Sequence, residues 1–254
     1  MHSIPKVLAV SSLLLSAIAY AGEAPTPVMV VATMHGLHED HQGFDFEDLF
    51  RLVRDFEPDL VGVEIRPEDM GAEEEYLRAN YPYEMVELAV LYADSAFGFD
   101  WLGDDIAGRR VPAGHWQGSP IKLLEQELAK DGAFAETDEE EAIAAAQKEL
   151  LVDATAELLN DGRYDRLVER SYRLTAEKLH GTRYQPVTDF YARRDLEIGQ
   201  RLIDIVRDNA GRRIIVLTGA DHRGFAEARL RETLGSQLEI VPVGRSAPSR
   251  QPND

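Results

Sequence analysis

Two unbroken apolar runs open the hydrophobic pattern: VLAVSSLLLSAIA at 7–19 and, after a Pro-containing lead, VMVVAT at 28–33. The first is about 13 residues, well short of the ~20 a membrane-spanning helix needs. It follows Lys6 and runs into Ala19-Tyr20-Ala21, a small-x-small sequence. That is the form of a secretory signal peptide over 1–21, cleaved before Gly22 and leaving no membrane anchor. The mature chain is expected to be exported, to the periplasm where the source has two membranes.

The second run, short and β-branched, predicts a buried strand. The next segment, 44–56, sets Phe46, Leu49, Phe50, Leu52, Val53 and Phe56 at helical spacings, and 57–65 (EPDLVGVEI) returns to a strand. Strand, helix and strand in 38 residues predict a βαβ unit with parallel, neighbouring strands. The middle of the chain reads as helices: amphipathic over 82–97, a short strand ending in acids at FDWLGDD (99–105), and a Ser-Pro helix start at 119. The run ETDEEE at 136–141 is an acidic helix start favoured by the helix dipole, without the glycine pattern of a calcium loop. From 186 the periodicity sharpens into a long helix closed by Gly211, a strand at 212–219, a helix at 225–235 and a last strand at 238–243. The prediction is an α/β fold, with a central sheet built from N- and C-terminal βαβ-type units around a helical insertion. A single domain spans 22–243, with 71–185 as the mainly helical insertion and 244–254 as a disordered polar tail.

Composition narrows the partners. With 46 acidic residues against 27 basic the formal net charge is −19, so nucleic acid and anionic membrane surfaces are poor partners. The absence of cysteine excludes disulfides.

In a parallel sheet ligands collect beyond the carboxyl ends of the strands. Ala32-Thr33-Met34-His35 follows the first strand, Glu64 and Arg66 the second, and Gly219-Ala220-Asp221-His222 the strand at 212–219. A histidine there is by default a loop or cap residue. Glu64 interrupts an apolar strand and needs a partner, a cation or a proton. Arg194 begins the apolar face of the long helix with Ile198, Leu202 and Ile205, either as a structural salt bridge to a carboxylate such as Glu64 or as a group that stabilises negative charge in catalysis. Three of the seven histidines lie between His35 and His41. His38 has three open roles, as a further metal ligand, as a hydrogen-bond support or as a solvated side chain; His41 is expected to be solvated. Asp221 would orient a histidine or cap a helix. The GHWQG segment around His115 and Trp116 reads as a surface or lid loop.

The paired ATMH and GADH segments, the VEIRP glutamate and the YARRDLEIGQRL helix resemble the TraB/Tiki/PrgY/GumN superfamily, with relatives among erythromycin esterases and haem-binding ChaN-like proteins. The resemblance covers about 28–70 and 186–243. The family pattern is Gly-x-x-His twice; Gly219 and His222 meet it in full, whereas Ala32 stands in place of the first glycine. The resemblance implies a hydrolase of a peptide or ester bond acting on a small molecule or peptide, with His35, Glu64, Arg194 and His222 as catalytic residues. In Tiki-like members it implies a divalent ion (manganese, cobalt or zinc) held by His35, Glu64 and His222, with His38 as a further candidate. In esterase-like members a histidine acts as general base without an obligatory metal. A haem- or metal-binding protein without turnover is the alternative that the ChaN-like branch implies. Recovery of the exported protein with Gly22 as its first residue, read by N-terminal sequencing, is the outcome expected of the leader; retention of Met1 would remove it.

Overall fold

The computed structural model describes residues 24–245. The expected leader at 1–21 and residues 246–254 of the expected tail lie outside them. Five parallel strands form one sheet in the order β3-β2-β4-β1-β5: β1 Thr26–Thr33, β2 Leu60–Val63, β3 Ala96–Gly98, β4 Ile214–Gly219 and β5 Leu238–Ile240. The helices are α1 Phe46–Phe56, α2 Glu74–Asn80, α3 Tyr83–Leu91, α4 His115–Gly118, α5 Pro120–Leu128, α6 Asp138–Val152, α7 Ala156–Leu159, α8 Arg163–Leu179, α9 Gln185–Asp208 and α10 Ala220–Leu234. The α/β class expected from the periodicity is therefore the observed one. No described helix is long and apolar enough to cross a membrane.

The sheet is covered on both faces, as parallel sheets are. Met29 and Val31 of β1 join Val61, Val63, Ile215 and Leu217 in one layer with Leu49, Val53 and Phe56 of α1 and Met85, Val86 and Leu88 of α3. The alternate residues Val28 and Val30 join Ile214 and Val216 in the opposite layer, with Ile198, Leu202 and Val206 of α9 and Leu230 and Leu234 of α10. Period-two alternation in β1 and β4 thus feeds two separate cores.

β1 and β2 are parallel but not neighbours. β4, about 150 residues further along, lies between them, with Val30 opposite Val216 on one side and Gly62 opposite Val216 on the other. β4 is an apolar run buried from end to end, as is β1 beside it. The insertion at 71–185 also supplies β3, an edge strand three residues before the expected one. The helix expected at 225–235 begins earlier, at Ala220, and so takes Asp221 and His222 into its first turn.

Local capping matches the sequence signals. Asp45 and Asp48 form a capping box on α1, and Thr137 and Glu140 form one on α6, the helix announced by ETDEEE. β5 covers β1 only as far as Val28. Beyond it, the Ala32 N–H donates to Asn160 Oδ1 at 2.8 Å, so the residue that ends α7 in the insertion satisfies the open end of β1.

Gly98 lies opposite Val63, where a Cβ would come within 2.4 Å of the Ile65 carbonyl oxygen and 3.0 Å of that of Arg66. Both are backbone atoms and cannot swing aside. Gly98→Ala is expected to cost about 1–3 kcal/mol, read as a lower urea midpoint at unchanged slope; a midpoint equal to that of the parent would show that the β2–β3 edge yields.

Candidate active site

All five strands run the same way, so their carboxyl ends share one edge of the sheet. β1 and β4 are adjacent, yet α1 and α10 cover opposite faces, and a crevice opens between the strand ends, as at a switch point of a parallel sheet. A cleft of about 440 Å³ lies there, lined among others by His35, Glu64, Asp100, Arg194, Asp221 and His222. His35, Glu64, Arg194 and His222, which the sequence singles out, all come together in it.

Register delivers them. Val63 lies opposite Leu217, so Glu64 emerges beside Thr218, and its Oε2 accepts from Thr218 Oγ1 at 2.6 Å and from Gly219 N at 2.7 Å. Its Oε1 accepts from Arg194 Nη2 at 2.7 Å. Asp100, just past β3, accepts at Oδ1 from Arg194 Nε at 2.9 Å and lies 2.9 Å from Nη2. Arg194 Nη1 lies 3.2 Å from His222 Nε2, while His222 Nδ1 meets Asp195 Oδ1 at 2.7 Å. A carboxylate only accepts, so Nδ1 carries the hydrogen of neutral His222 and Nε2 accepts from Arg194. Of five guanidinium N–H groups, one on Nη1 is then left over from these four contacts.

Burial raises a carboxylate pKa, but at Glu64 the charges of Arg194, His222 and His35 prevail and hold it down to about 2. Asp100 has the same cation and the same burial, but burial, with the nearby charge of Glu64, leaves its pKa raised. Burial works against protonation of His222, and the hydrogen bond to Asp195 with the charge of Glu64 outweighs it, leaving the pKa raised.

His35 is held differently. Its φ is 50°, in the left-handed region that costs a non-glycine residue on the order of 1 kcal/mol. Its Nδ1 meets Glu84 Oε1 at 2.8 Å; the Glu84 side chain is 0% exposed and that of His35 is 42% exposed. With the hydrogen on Nδ1, Nε2 is a free base. Gly219 provides its space, since a Cβ there would lie 2.9 Å from Nε2 and 3.6 Å from Glu64 Oε2. Burial lowers the His35 pKa less than the Glu84 hydrogen bond and the Glu64 and Glu84 charges raise it, so it stands above the ordinary imidazole value.

The two histidine motifs are therefore not structural equivalents. The ladder sets Thr33, not Ala32, opposite Gly219. Ala32 packs its methyl in the core, so the alanine leaves no gap; the glycine is required only at 219. His38 is fully buried: its Nε2 accepts from Met34 N at 2.9 Å and its Nδ1 donates to Phe44 O at 2.7 Å, which fixes it neutral and engages both nitrogens. Burial keeps its pKa low. His41 is not simply solvated: its Nδ1 accepts from Phe44 N at 3.0 Å and its Nε2 donates to Leu151 O at 2.9 Å. Both fasten the 34–44 segment, with His38 in the support role. Arg66 is 1% exposed and bonded to Asp69 and to the carbonyls of Ile106 and Arg109, away from the cluster. Asp221 caps nothing and orients no histidine; the Tyr164 hydroxyl donates to its Oδ1 at 3.1 Å.

Glu84 and Asp195 escape the sequence reading, and the GHWQG segment expected as a loop is the short helix α4. Glu84 is a carboxylate on the buried face of an apolar helix, one turn before Leu88. That signal is as strong as the one at Glu64, but it sits in a helix and not at a strand end. Trp116 of α4 lines the cleft, with its ring centroid 5.9 Å from Arg194 Cζ.

A divalent ion on His35, Glu64 and His222 fits this donor set poorly. Both Glu64 oxygens and the His222 Nε2 are engaged, the central position is held by the Arg194 cation, and among the described residues no three His, Asp or Glu side chains are grouped to hold a metal. The cleft walls combine the acids Glu64, Asp100 and Asp221 with Met34, Leu37, Leu102, Trp116 and Leu151. Compared with known protein families, characterised proteins and solved structures, the chain matches none.

Arg194→Met would leave Glu64 and Asp100 buried without their cation, a loss expected to cost about 3–5 kcal/mol. Thermal unfolding at pH 7 and pH 5 checks it: protonation of the orphaned carboxylates should recover part of the loss at pH 5, whereas an equal melting temperature in parent and variant would mean that Arg194 is not their main counterion.

Proposed function

We propose that the chain is an exported hydrolase of the TraB/Tiki type that cleaves a peptide or ester bond without a bound metal. The observation that carries this reading is His35, strained, half-exposed and backed through Nδ1 by the buried Glu84, with its free Nε2 turned toward the Gly219–Glu64–Arg194 cluster. A histidine fixed in one tautomer by a carboxylate, with its other nitrogen open to a cleft, is the arrangement a general base requires.

In this reading His35 Nε2 takes a proton from water as the water oxygen bonds to the substrate carbonyl carbon. The carbonyl electrons pass to its oxygen, and the spare Arg194 N–H stabilises that oxyanion. As the tetrahedral species collapses, the bond to the leaving group breaks, and His35 returns the proton to the departing oxygen or nitrogen. Glu84 is a positioning residue, since it touches only His35. His222, tied to Asp195, holds the guanidinium in place, and Glu64 and Asp100 fix its plane. The resemblance of the two histidine motifs supports the family part of the proposal.

Hydrolysis of p-nitrophenyl esters and of a fluorogenic peptide library tests it. His35→Gln should lower kcat/KM about 10²- to 10⁴-fold with folding retained. The base must be neutral, and its pKa is raised, so the rate should climb with pH through an inflection above the ordinary imidazole value. Glu84→Gln keeps the hydrogen bond but removes the charge, and the inflection should move to lower pH. Dialysis against EDTA should leave the rate unchanged. A rate lost on chelation and restored by manganese, cobalt or zinc would replace the arginine-centred mechanism, and a His35→Gln variant as active as the parent would end the proposal.

A further inference from the structure

The cleft carries an uneven charge. Among the described residues Arg194 is the only lysine or arginine that lines it, against Glu64, Asp100 and Asp221. Arg194 is in contact with both Glu64 and Asp100, and the lining histidines His35 and His222 are each held by a carboxylate, Glu84 and Asp195, so these charges are already matched. An anionic substrate group would find no unpaired cation there and would enter against the field of a chain with net charge −19.

Asp221 stands apart from the other two acids. It is exposed, it forms no ion pair among the described residues, and its one side-chain partner is the Tyr164 hydroxyl on Oδ1. Its neighbour in the chain is His222, so it stands one residue from the guanidinium cluster. Trp116 lines the same cleft with a half-buried ring, and an aromatic face attracts cations. Asp221 also lies in the first turn of α10, where an acid meets the helix dipole. That role asks nothing of the cleft, and it accounts for neither the charge imbalance nor the aromatic wall.

We propose that the cleft selects substrates carrying an ammonium or quaternary ammonium group, with Asp221 as the specificity-determining residue and Trp116 as an aromatic wall of the same cleft. For turnover this rests on the hydrolytic reading above; for binding it does not.

The test uses three p-nitrophenyl esters of equal length, ending in trimethylammonium, in its neutral tert-butyl isostere and in carboxylate. The purified chain should show kcat/KM about tenfold higher for the cationic ester than for the neutral one, with the anionic ester slowest and the spread narrowing as salt rises. Asp221→Asn should bring the ratio of cationic to neutral close to one. Equal rates for the three esters, or a ratio that survives in Asp221→Asn, would overturn the proposal. Calorimetric titration with phenyltrimethylammonium and with benzoate keeps the two readings apart. If no ester is cleaved, the hydrolytic reading fails alone, and binding of the cation that is lost in Asp221→Asn still supports charge selection. Benzoate binding as tightly as the cation, or cation binding unchanged by Asp221→Asn, overturns it whatever the esters do.

Discussion

The Arg194 guanidinium, buried between Glu64 and Asp100, is the constraint around which the carboxyl edge of the sheet is arranged. Each of these ions alone would be expensive to remove from water, and their attraction offsets that cost only where the hydrogen bonds are complete. Completion requires partners from four places: Thr218 and Gly219 at the end of β4, Asp100 beyond β3, His222 in the first turn of α10, and Arg194 on α9. The network therefore acts as a clamp on α9, holding it across the strand ends. It also delivers the neighbouring Asp195 to His222, which fixes the imidazole that faces the guanidinium.

A second arrangement supports the first. The segment after β1 must turn sharply enough to point His35 back at Gly219, and it does so with a left-handed residue, at a cost that its surroundings have to bear. His38 and His41 carry that burden. A neutral imidazole both accepts and donates, so one side chain can take a backbone N–H on one side and give to a carbonyl on the other, and each of these two does so. Three histidines that look alike in the chain thus divide into two fasteners and one with an open ring nitrogen. The open one differs in being backed by a carboxylate and not by a carbonyl.

The insertion does more than cover the fold. It supplies β3 with Asp100, α3 with Glu84, Asn160 at the open end of β1, and Trp116 in the lining of the cleft. Every one of these lies against a residue from the two outer α/β units, so the cleft is shared between segments that periodicity alone would separate into a scaffold and an appendage.

Much of this is legible in the chain itself. Strand and helix periods locate β1, α1, β2, α9, β4 and β5, because a buried apolar run and a 3.6-residue stripe are local properties of the chain. Glu64 and Arg194 stand out because a charge within an apolar pattern calls for a partner, and His35 and His222 because strand ends in parallel sheets point to one edge. Whether these four meet is decided by strand order, and the order differs from the local reading: β4 enters between β1 and β2, a pairing across more than 150 residues that no local period encodes. Asp195 reads as an ordinary helical acid and Glu84 as a charge in an apolar helix with no partner in view, until folding brings each within hydrogen-bond distance of an imidazole. A carboxylate's role is a matter of what lies about 3 Å from it, and over separations of tens of residues the sequence carries no measure of that distance.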